Sequence, residues 1–310
     1  MKKQIIVSGG LGFIGFHLIK RLIIENYFPI IVDDLSIGSL KILELLPKSK
    51  FHFIKCNITH REKLEEKLIK FKPETIIHLA AIHFIPYCNK NPEKTILINT
   101  VGTQLLLEIA LKKNIKNFLF TSSGAVYKPS IYPHKENDLL KPIDIYGLSK
   151  KLGGEIIKFY GKTTALKFII LRLFNVYGPN DSTPHIIPAL LSRLKKSNKI
   201  AVGDISTFRD YIYIDDVIEG IIKVLKSSKG FDNSIYNIGA GKNYSGKSLI
   251  KIISKITNRE ILVYKNQNLV RKVDRKALIA DIAKFSKVYS WKPKYDVFQG
   301  IKELIKLELK

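Results

Sequence analysis

Tyr146 and Lys150 stand four residues apart in the segment YGLSK, and Ser123 closes the run FLFTSS. Helical side chains at this spacing share one face, so the phenol and the ammonium can be neighbours. A free tyrosine has a pKa near ~10 and is a poor base at neutral pH. A neighbouring cation lowers that pKa, and a shift of about three units corresponds to roughly 4 kcal/mol. These residues are candidates for acid–base catalysis, although YxxxK alone also arises by chance.

Three glycines, Gly9, Gly12 and Gly15, follow a short apolar run and open a helical pattern in the segment SGGLGFIG. Glycine at such a turn lets the backbone approach a pyrophosphate, which the N–H groups of the helix N-terminus can bind. Asp33 ends the next apolar run, about 20 residues beyond Gly12, where a carboxylate bonds the ribose hydroxyls of a dinucleotide. It would also repel a 2′-phosphate, so the pattern predicts NAD rather than NADP. A turn residue or a helix cap is the alternative for Asp33.

Apolar runs alternate with helical patterns through the first half of the chain. The runs are rich in Ile, Phe and Val, as expected of strands buried on both faces. Alternation of strands and helices is typical of a parallel sheet with right-handed crossovers. We therefore predict an α/β fold, a Rossmann-type doubly wound parallel sheet with a smaller C-terminal substrate-binding lobe. The predicted strands are 4–8, 29–33, 51–56, 75–80, 117–122 and 167–173.

The alternation breaks after residue 175, where prolines become frequent. The segment 210–226 has the pattern of one more element returning to the first unit. We therefore predict an NAD-binding domain at 1–174, to which about 209–238 returns. Residues 175–208 and 239–310 form the predicted substrate-binding lobe.

Composition narrows the class of protein. The chain has 310 residues with ordinary globular composition and a net charge of +25. Only eight of the 52 basic residues are arginine, and the lysines form no basic block, so solvated faces are favoured over nucleic-acid binding. Cys56 and Cys88 form no CxxC or metal-binding pattern, which favours a cytoplasmic chain without a metal. We expect neither a signal peptide nor a membrane span, because the apolar runs are too short.

The order of these motifs along the chain resembles that of the extended short-chain dehydrogenase/reductase superfamily. Within it, the chain resembles the NAD-dependent nucleotide-sugar epimerase/dehydratase family. The resemblance covers nearly the whole chain and rests on many ordered matches. The matching segments are SGGLGFIG (8–15), DDLSIG (33–38), HLAA (78–81), NTVGT (99–103), SSGAVY (122–127), YGLSK (146–150), RLFNVYGP (172–179), RDYIYIDDV (209–217), YNIGAG (236–241), RKVD (271–274) and WKP (291–293).

The resemblance implies a role for each matching residue. Tyr146 is the expected acid–base, Lys150 holds the nicotinamide ribose and tunes Tyr146, and Ser123 hydrogen-bonds the reacting sugar oxygen. The implied cofactor-binding residues are Gly9, Gly12, Phe13, Ile14, Gly15, Asp33, Asp34, Ser36, Asn57, Ile58, Leu79, Ala80, Ala81, Asn99, Ser122, Tyr146 and Lys150. The implied substrate-binding residues are Cys88, Ser123, Asn175, Arg209, Arg271 and Asp274, with the arginines suited to a nucleotide diphosphate. Asn175 as a turn cap, and an internal ion pair between Arg209 and Asp210, are the structural alternatives.

The two positions after Ser123 indicate the reaction. Family members that resemble dehydratases carry acids there, whereas Gly124 and Ala125 resemble 4-epimerases. The resemblance therefore implies an NAD-dependent 4-epimerase of a nucleotide-diphosphate sugar, most simply a UDP-hexose, that passes through a 4-keto sugar. A related dehydratase or reductase, with an acid supplied elsewhere such as by His83, remains the alternative. A dinucleotide-binding protein without catalysis is less favoured, because binding alone would not require Ser123, Tyr146 and Lys150 together.

Two further expectations follow from the resemblance. The helices predicted at 92–113 and 146–160 carry apolar residues on more than one face, and in the family they form an intersubunit four-helix bundle. We therefore predict a homodimer, with neither nucleic acid nor membrane as a partner. Leu278 stands where the family places a residue facing the C2 substituent of the sugar, and its modest size predicts that 2-acetamido sugars are accepted.

Overall fold

The computed structural model describes residues 2–270 and 274–308 of the chain. Seven of its strands form one parallel sheet, and the others form a small four-stranded sheet and a two-stranded sheet. In chain order the strands are β1 (Gln4–Ser8), β2 (Phe28–Asp33), β3 (His52–Lys55), β4 (Thr75–His78), β5 (Asn117–Ser123), β6 (Lys167–Leu173), β7 (Asn175–Tyr177), β8 (Lys199–Val202), β9 (Phe208–Tyr213), β10 (Ser234–Ile238), β11 (Asn243–Ser245), β12 (Leu262–Lys265) and β13 (Ala277–Leu278).

The order of the large sheet is β10-β6-β5-β4-β1-β2-β3, and every neighbouring pair is parallel. The connection reverses direction between β1 and β4, which is the switch point where doubly wound sheets bind their ligands. Interior strand residues such as Ile6, Ile77 and Leu119 have no exposed surface. The sheet is buried on both faces because these runs are apolar throughout, as predicted for parallel strands.

Helices cover both faces of this sheet. Apolar residues of α1 and α9 pack on one face, and those of α3, α6 and α7 pack on the other. In chain order the helices are α1 (Phe13–Ile24), α2 (Lys41–Glu44), α3 (Arg61–Leu68), α4 (Ile85–Lys90), α5 (Pro92–Ile96), α6 (Gly102–Lys112), α7 (Ile145–Thr163), α8 (Ile186–Leu194), α9 (Ile214–Lys226), α10 (Gly246–Thr257), α11 (Ala283–Tyr289) and α12 (Val297–Glu308).

The fold class is confirmed: the chain forms a doubly wound, Rossmann-type parallel sheet. The predicted strands agree closely with the observed ones, except that β4 ends at His78 instead of residue 80. Residues 79–81 follow the strand and pass close to Gly9, whose backbone lies directly against Ala80. The predicted substrate-binding lobe contains the two-stranded sheet and three strands of the four-stranded sheet, β7, β11 and β13.

Strand β9 pairs with β7, β11 and β13 in the four-stranded sheet, whereas α9 and β10 pack with the large sheet. The segment at about 209–238, which is predicted to return to the first unit, thus contributes β9 to the four-stranded sheet. Its helix α9 and strand β10 belong with the large sheet. The division of the chain at 174, 209 and 238 stays a prediction.

Helix α5 continues through a π-helical turn, Leu97–Val101, into α6. The resulting helix Pro92–Lys112 has the length and apolar composition of a membrane span, contrary to our expectation that no segment does, and half of its apolar window is buried inside the structure. Its buried side chains contact the sheet and α7, and Asn99 hydrogen-bonds both the backbone of Ile82 and Ser149. These contacts are those of a core helix.

Candidate active site

The carboxyl ends of the parallel strands bring the predicted site residues to one edge of the sheet. Gly9 follows β1, Asp33 ends β2, Asn57 follows β3 and Leu79 follows β4. Ser123 ends β5, two strands away from β1. In doubly wound sheets ligands bind in the crevice outside these strand ends.

The glycine-rich turn after β1 fits the pyrophosphate of a dinucleotide. A Cβ at Gly9 would lie 2.6 Å from the nitrogen of Ala80, and one at Gly15 would lie 2.3 Å from the carbonyl oxygen of Gly9. Gly9 also has a φ of +71°, which favours glycine. At Gly12 the nearest atom to such a Cβ is 3.4 Å away, so this side of the turn has room for a ligand. Phe13 and Ile14 begin α1, whose first N–H groups have no partner within the helix.

Asp33 is buried at the end of β2 and is held by two backbone donors. One carboxylate oxygen accepts from the N–H of Leu11 at 2.9 Å, and the other accepts from the N–H of Leu35 at 2.9 Å. Burial raises the pKa of this carboxyl, and both hydrogen bonds oppose that rise. Each oxygen keeps further acceptor capacity, as a ribose site requires.

The neighbouring predicted cofactor residues form a second hydrogen-bonded group. Asn57 donates to the carboxylate of Asp34 at 2.7 Å, and Asp34 accepts from the N–H of Ser36 at 2.9 Å. Ile58 is buried against Gly102. Leu79, Ala80 and Ala81 are partly exposed, and Ser122 is buried next to Ser123.

Ser123 and Tyr146 are brought together at this edge, where the Ser123 hydroxyl is close enough to the phenol to lower the pKa of Tyr146 against the effect of burial. The Ser123 hydroxyl also accepts from the N–H of Ala125 at 3.1 Å. Tyr146 lies in the first turn of α7, which Asp144 caps by accepting from the N–H of Gly147 at 2.7 Å. The cap thus fixes the start of the helix that carries both Tyr146 and Lys150.

Lys150 is 2% exposed, and its Nζ lies 4.2 Å from the centroid of the Phe120 ring. Burial lowers the pKa of Lys150 to about 7. Burial raises the pKa of Tyr146 in the protein without its cofactor, and Ser123 opposes that rise. That Lys150 lowers the pKa of Tyr146 stays a prediction.

Asn99 has partners within the protein for its whole side-chain amide. Its Oδ1 accepts from the N–H of Ile82 at 2.8 Å, and its Nδ2 donates to the Ile82 carbonyl at 2.8 Å and to the Ser149 hydroxyl at 2.9 Å. Ser149 in turn donates to the carbonyl of Tyr146 at 2.8 Å. Asn99 therefore ties the loop after β4 to the helix that carries Tyr146, which agrees with an ordering role.

The predicted substrate-binding residues occupy two regions. Cys88 is fully buried in α4, where its Sγ lies 3.5 Å from the Ile82 carbonyl, and burial raises the pKa of its thiol to about 11. Asn175 is partly exposed at the start of β7. Arg209 donates to the Asp274 carboxylate at 2.6 Å, which replaces the alternative pairing with Asp210.

Asp210 instead accepts from the backbone N–H groups of Ala240, Gly241 and Ala280. Arg271 lies outside the described residues. Within the described ranges, no group of three or more His, Cys, Asp or Glu side chains is arranged to hold a metal ion.

Sequence reasoning missed two residues at this site. Phe174 packs against Gly124, and Arg275 is buried behind the turn that follows Ser123. Phe174 lies between two matching motif residues, but nothing in its type indicates a contact with Gly124. Arg275 lies in the basic segment RKVDRK, which is typical of a solvated surface.

His83 is the acid that the dehydratase or reductase alternative would use. Its Nε2 lies 3.0 Å from the Thr183 hydroxyl, and its ring lies 5.7 Å from that of His185. Burial lowers the pKa of His83, with a smaller effect from the positive charge of Lys150. The imidazole of His83 is therefore mainly in its neutral form at neutral pH.

Comparison with known proteins agrees with this geometry. The family model described as "NAD dependent epimerase/dehydratase family" matches residues 5–239. A putative UDP-glucose 4-epimerase of Methanocaldococcus jannaschii is 35% identical over 97% of both chains. Among solved structures, a UDP-glucose 4-epimerase of Thermotoga maritima with UDP-glucose has a TM-score of 0.89 at 29% identity, covering 99% of this chain and 100% of that one.

A further solved structure is a UDP-N-acetylglucosamine 4-epimerase of Methanobrevibacter ruminantium in complex with UDP-N-acetylmuramic acid. It has a TM-score of 0.86 at 30% identity, covering 99% of this chain and 98% of that one. The family match spans most of the chain, including the glycine-rich turn, Asp33, Ser123, Tyr146 and Lys150. The chain therefore belongs to the NAD dependent epimerase/dehydratase family, and its cofactor is NAD.

Proposed function

We propose that the protein is a nucleotide-sugar 4-epimerase, with a UDP-hexose as its substrate. The observation that carries this proposal is the combination of neighbouring Ser123 and Tyr146 side chains with an acid-free turn at Gly124 and Ala125. A Cβ at Gly124 would lie 3.1 Å from two carbons of the Phe174 ring. Because Phe174 fills this side of the turn, a second acid has little room there, and epimerisation at C4 does not need one.

NAD would be held by the turn at Gly9, Gly12 and Gly15 and by Asp33, and Lys150 would hold its nicotinamide ribose. When bound, it accepts a hydride from C4 of the sugar and returns that hydride to the opposite face. The buried Lys150 ammonium would also place positive charge next to the reacting hydroxyl. The adenosine and its ribose would be bound by Asp34, Asn57 and the backbone at 79–81.

Tyr146, as the phenolate that the positive charges of Lys150 and bound NAD⁺ would stabilise, would take the proton of the C4 hydroxyl while the C4–H bond breaks, which leaves a 4-keto sugar. Ser123, which lies near Tyr146, would donate to the developing carbonyl oxygen. After the sugar turns over in the pocket, Tyr146 would return the same proton to O4. The net reaction consumes no proton and no reducing equivalent, so one acid–base residue is sufficient.

The nucleotide would bind next to the ion pair of Arg209 and Asp274. The ion pair between them holds the Arg209 guanidinium at the edge of β9, and Arg271 would add a second guanidinium for the diphosphate. Asn175 would contact the substrate from β7. Cys88 is fully buried, so its predicted contact with the sugar would require an opening of the α4 segment.

The proposal also concerns the substituent at C2 of the sugar. Leu278 is buried with Val126, Tyr127 and Phe174 in one apolar cluster behind the catalytic turn. A leucine occupies less volume than a tyrosine, so we propose that 2-acetamido sugars are accepted as well as plain hexoses. The likeness to a solved UDP-N-acetylglucosamine 4-epimerase supports this extension.

We also propose a homodimer in the cytoplasm. Exposed apolar side chains lie on two neighbouring helices, α5–α6 and α7, and both cysteines are free, as expected in a reducing compartment. The exposed side chains are Leu97, Val101, Leu148, Leu152 and Phe159. An exposed apolar helical face of this kind is typical of an interface, and the same face of a second copy of the chain would bury it.

A dehydratase or reductase of the same family is the alternative, and it would need an acid such as His83. The lowered pKa of His83 opposes that role, because a neutral imidazole at pH 7 is a poor general acid. The proposal is tested by incubating the NAD-loaded enzyme with UDP-glucose, UDP-N-acetylglucosamine and their dTDP, CDP and GDP counterparts. NMR should show C4-inverted products, whereas a 4-keto-6-deoxy sugar or consumption of NADH would favour the alternative.

A further inference from the structure

Arg275 is a buried cation that faces a cluster of backbone carbonyls. Its side chain is 5% exposed. One guanidinium nitrogen lies 3.1 Å from the carbonyl oxygen of Ala125, and another lies 3.5 Å from that of Gly124 and 3.4 Å from that of Tyr127. All three carbonyls belong to the turn that follows Ser123. Arg275 therefore binds the backbone of the catalytic turn.

The same guanidinium also faces the start of α7. It lies 3.9 Å from the carboxylate of Asp144, a side chain that is 9% exposed and that caps the helix by accepting from the N–H of Gly147. The backbone of Gly147 is itself packed against the Ala125 carbonyl, since a Cβ there would lie 2.5 Å from that oxygen. Arg275 thus contacts both segments that carry the acid–base residues, namely the turn after Ser123 and the helix start before Tyr146.

Burying a cation with one carboxylate at this distance is costly unless other groups solvate it. The three carbonyl dipoles and Asp144 provide that solvation, and the planar fork of arginine can reach several acceptors at once. Replacing Arg275 with an apolar residue would remove the guanidinium from three carbonyls and the cationic partner from Asp144, which would keep only the N–H of Gly147 among its contacts described above. The turn and the helix start would then lose the group that fixes their mutual distance.

The backbone of Arg275 connects this cluster to the proposed nucleotide site. Asp274 is the preceding residue, and its carboxylate accepts both from Arg209 at 2.6 Å and from the N–H of Arg275 at 2.9 Å. Arg209 also donates to the carbonyl of Arg275 at 3.0 Å. A ligand that moves the pair of Arg209 and Asp274 would therefore move the backbone that carries the Arg275 guanidinium.

We infer that Arg275 is a positioning residue: it sets the geometry of Ser123 and Tyr146, and it couples the binding of a nucleoside diphosphate at Arg209 and Asp274 to that geometry. This inference rests on the proposed function for the identity of the ligand. A displacement of about 1 Å at a reacting group costs up to about 10²-fold in rate. Loss of the Arg275 contacts should therefore lower the turnover number measurably.

The test uses the full-length NAD-loaded enzyme and the variant Arg275→Met. Arg61→Met is the matched control, because it removes an arginine that pairs with Glu65 and Glu108 on the surface of α3. Per folded, NAD-loaded molecule, we expect kcat of Arg275→Met to fall about 10- to 100-fold with little change in KM. A purely structural role would lower the melting temperature and the folded fraction and leave kcat per folded molecule unchanged, which would overturn the inference.

Hydrogen–deuterium exchange reports the coupling without any turnover. UDP alone, or dTDP, CDP or GDP if UDP does not bind, should slow exchange in residues 122–128 and 206–212 of the wild-type enzyme. In Arg275→Met the protection of 206–212 should remain while that of 122–128 is lost. Equal protection of 122–128 in both proteins, or none in the wild type, would overturn the coupling.

The two hypotheses can fail separately. If the wild type turns over no nucleotide sugar, the proposed function fails, and the exchange experiment still decides the role of Arg275. Should Arg275→Met not fold, Arg275→Lys carries the same test, because it keeps the charge and removes the fork that reaches several carbonyls.

Discussion

The ring of Phe174 lies directly against the backbone of Gly124, so that a Cβ at position 124 would come within 3.1 Å of two ring carbons. Phe174 cannot move away freely, because it is buried with Val126, Tyr127 and Leu278. The space next to the Gly124 backbone is thus taken by an aromatic ring, which leaves little room for a side chain there.

We therefore predict that Gly124→Ala destabilises the protein by about 1–3 kcal/mol through overpacking. In a domain of this size each kcal/mol lowers the melting temperature by about 2–4 °C. Phe174→Leu in the same chain should restore part of the loss by making room. Gly154→Ala on α7 is the control, since its Cβ would meet only Ile170 at 3.8 Å. A Gly124→Ala variant as stable as the wild type would show that the ring is free to move.

Asp33 should determine the preference for NAD over NADP. Asp33→Asn removes the charge, and hydrogen bonds to a charged group are worth about 1.5–3 kcal/mol, so NAD affinity should fall about 10- to 100-fold. Affinity for NADP should fall less, because the variant no longer repels the 2′-phosphate. Calorimetric titration of both cofactors measures this, with Glu44→Gln on the exposed face of α2 as the control. Equal losses for NAD and NADP would remove Asp33 from the ribose site.

Lys150 should make the stability of the cofactor-free protein depend on pH. The pKa of Lys150 is about 7 in the folded chain, below the ordinary value of 10.5, because burial disfavours the ammonium. Between these values the unfolded chain binds more protons, so stability rises with pH in this window. The folded chain bears the full cost of burying the charge below about pH 7.

The variant Lys150→Met removes that cost. Its melting temperature should exceed that of the wild type at pH 6.5, and the difference should shrink as pH approaches 9.5. Lys158→Met, on the same helix but paired with Glu155 at the surface, should differ from the wild type by an amount that pH does not change. Thermal unfolding followed by circular dichroism provides the comparison. A constant difference for Lys150→Met would mean that Lys150 stays charged in the folded protein throughout.

The proposed dimer face can be tested by charge. Val101 and Leu152 are both more than a third exposed on neighbouring helices. Introducing Val101→Glu and Leu152→Glu together should place four carboxylates in the interface and produce monomers. Sedimentation velocity at micromolar concentration measures the outcome, and Ile24→Glu on the exposed side of α1 should leave a dimer intact. A wild-type protein that sediments only as a monomer would reject the proposal.

The sequence was sufficient for the large sheet because its apolar runs are continuous and separated by clear helical patterns. It was also sufficient for the pairing of Ser123 with Tyr146, because strand ends and helix starts meet at one edge of a parallel sheet. It could not reveal Arg275, since a buried arginine and a solvated one look alike in a basic segment. Nor could it show that burial raises the pKa of Tyr146 in the protein without its cofactor, because burial depends on the packing of distant segments.

The central claim is that the C4 hydrogen leaves and returns within one active site. The most direct measurement is the reaction of a UDP-hexose in D₂O, followed by NMR of the product and by NADH absorbance. We predict a C4-inverted sugar without carbon-bound deuterium, no net change in NADH, and a rate about 10²- to 10⁴-fold lower in Tyr146→Phe. Tyr160→Phe, on the same helix and away from Ser123, should retain the rate. Deuterium at C5, or a 4-keto-6-deoxy product, would contradict the account and establish a dehydratase instead.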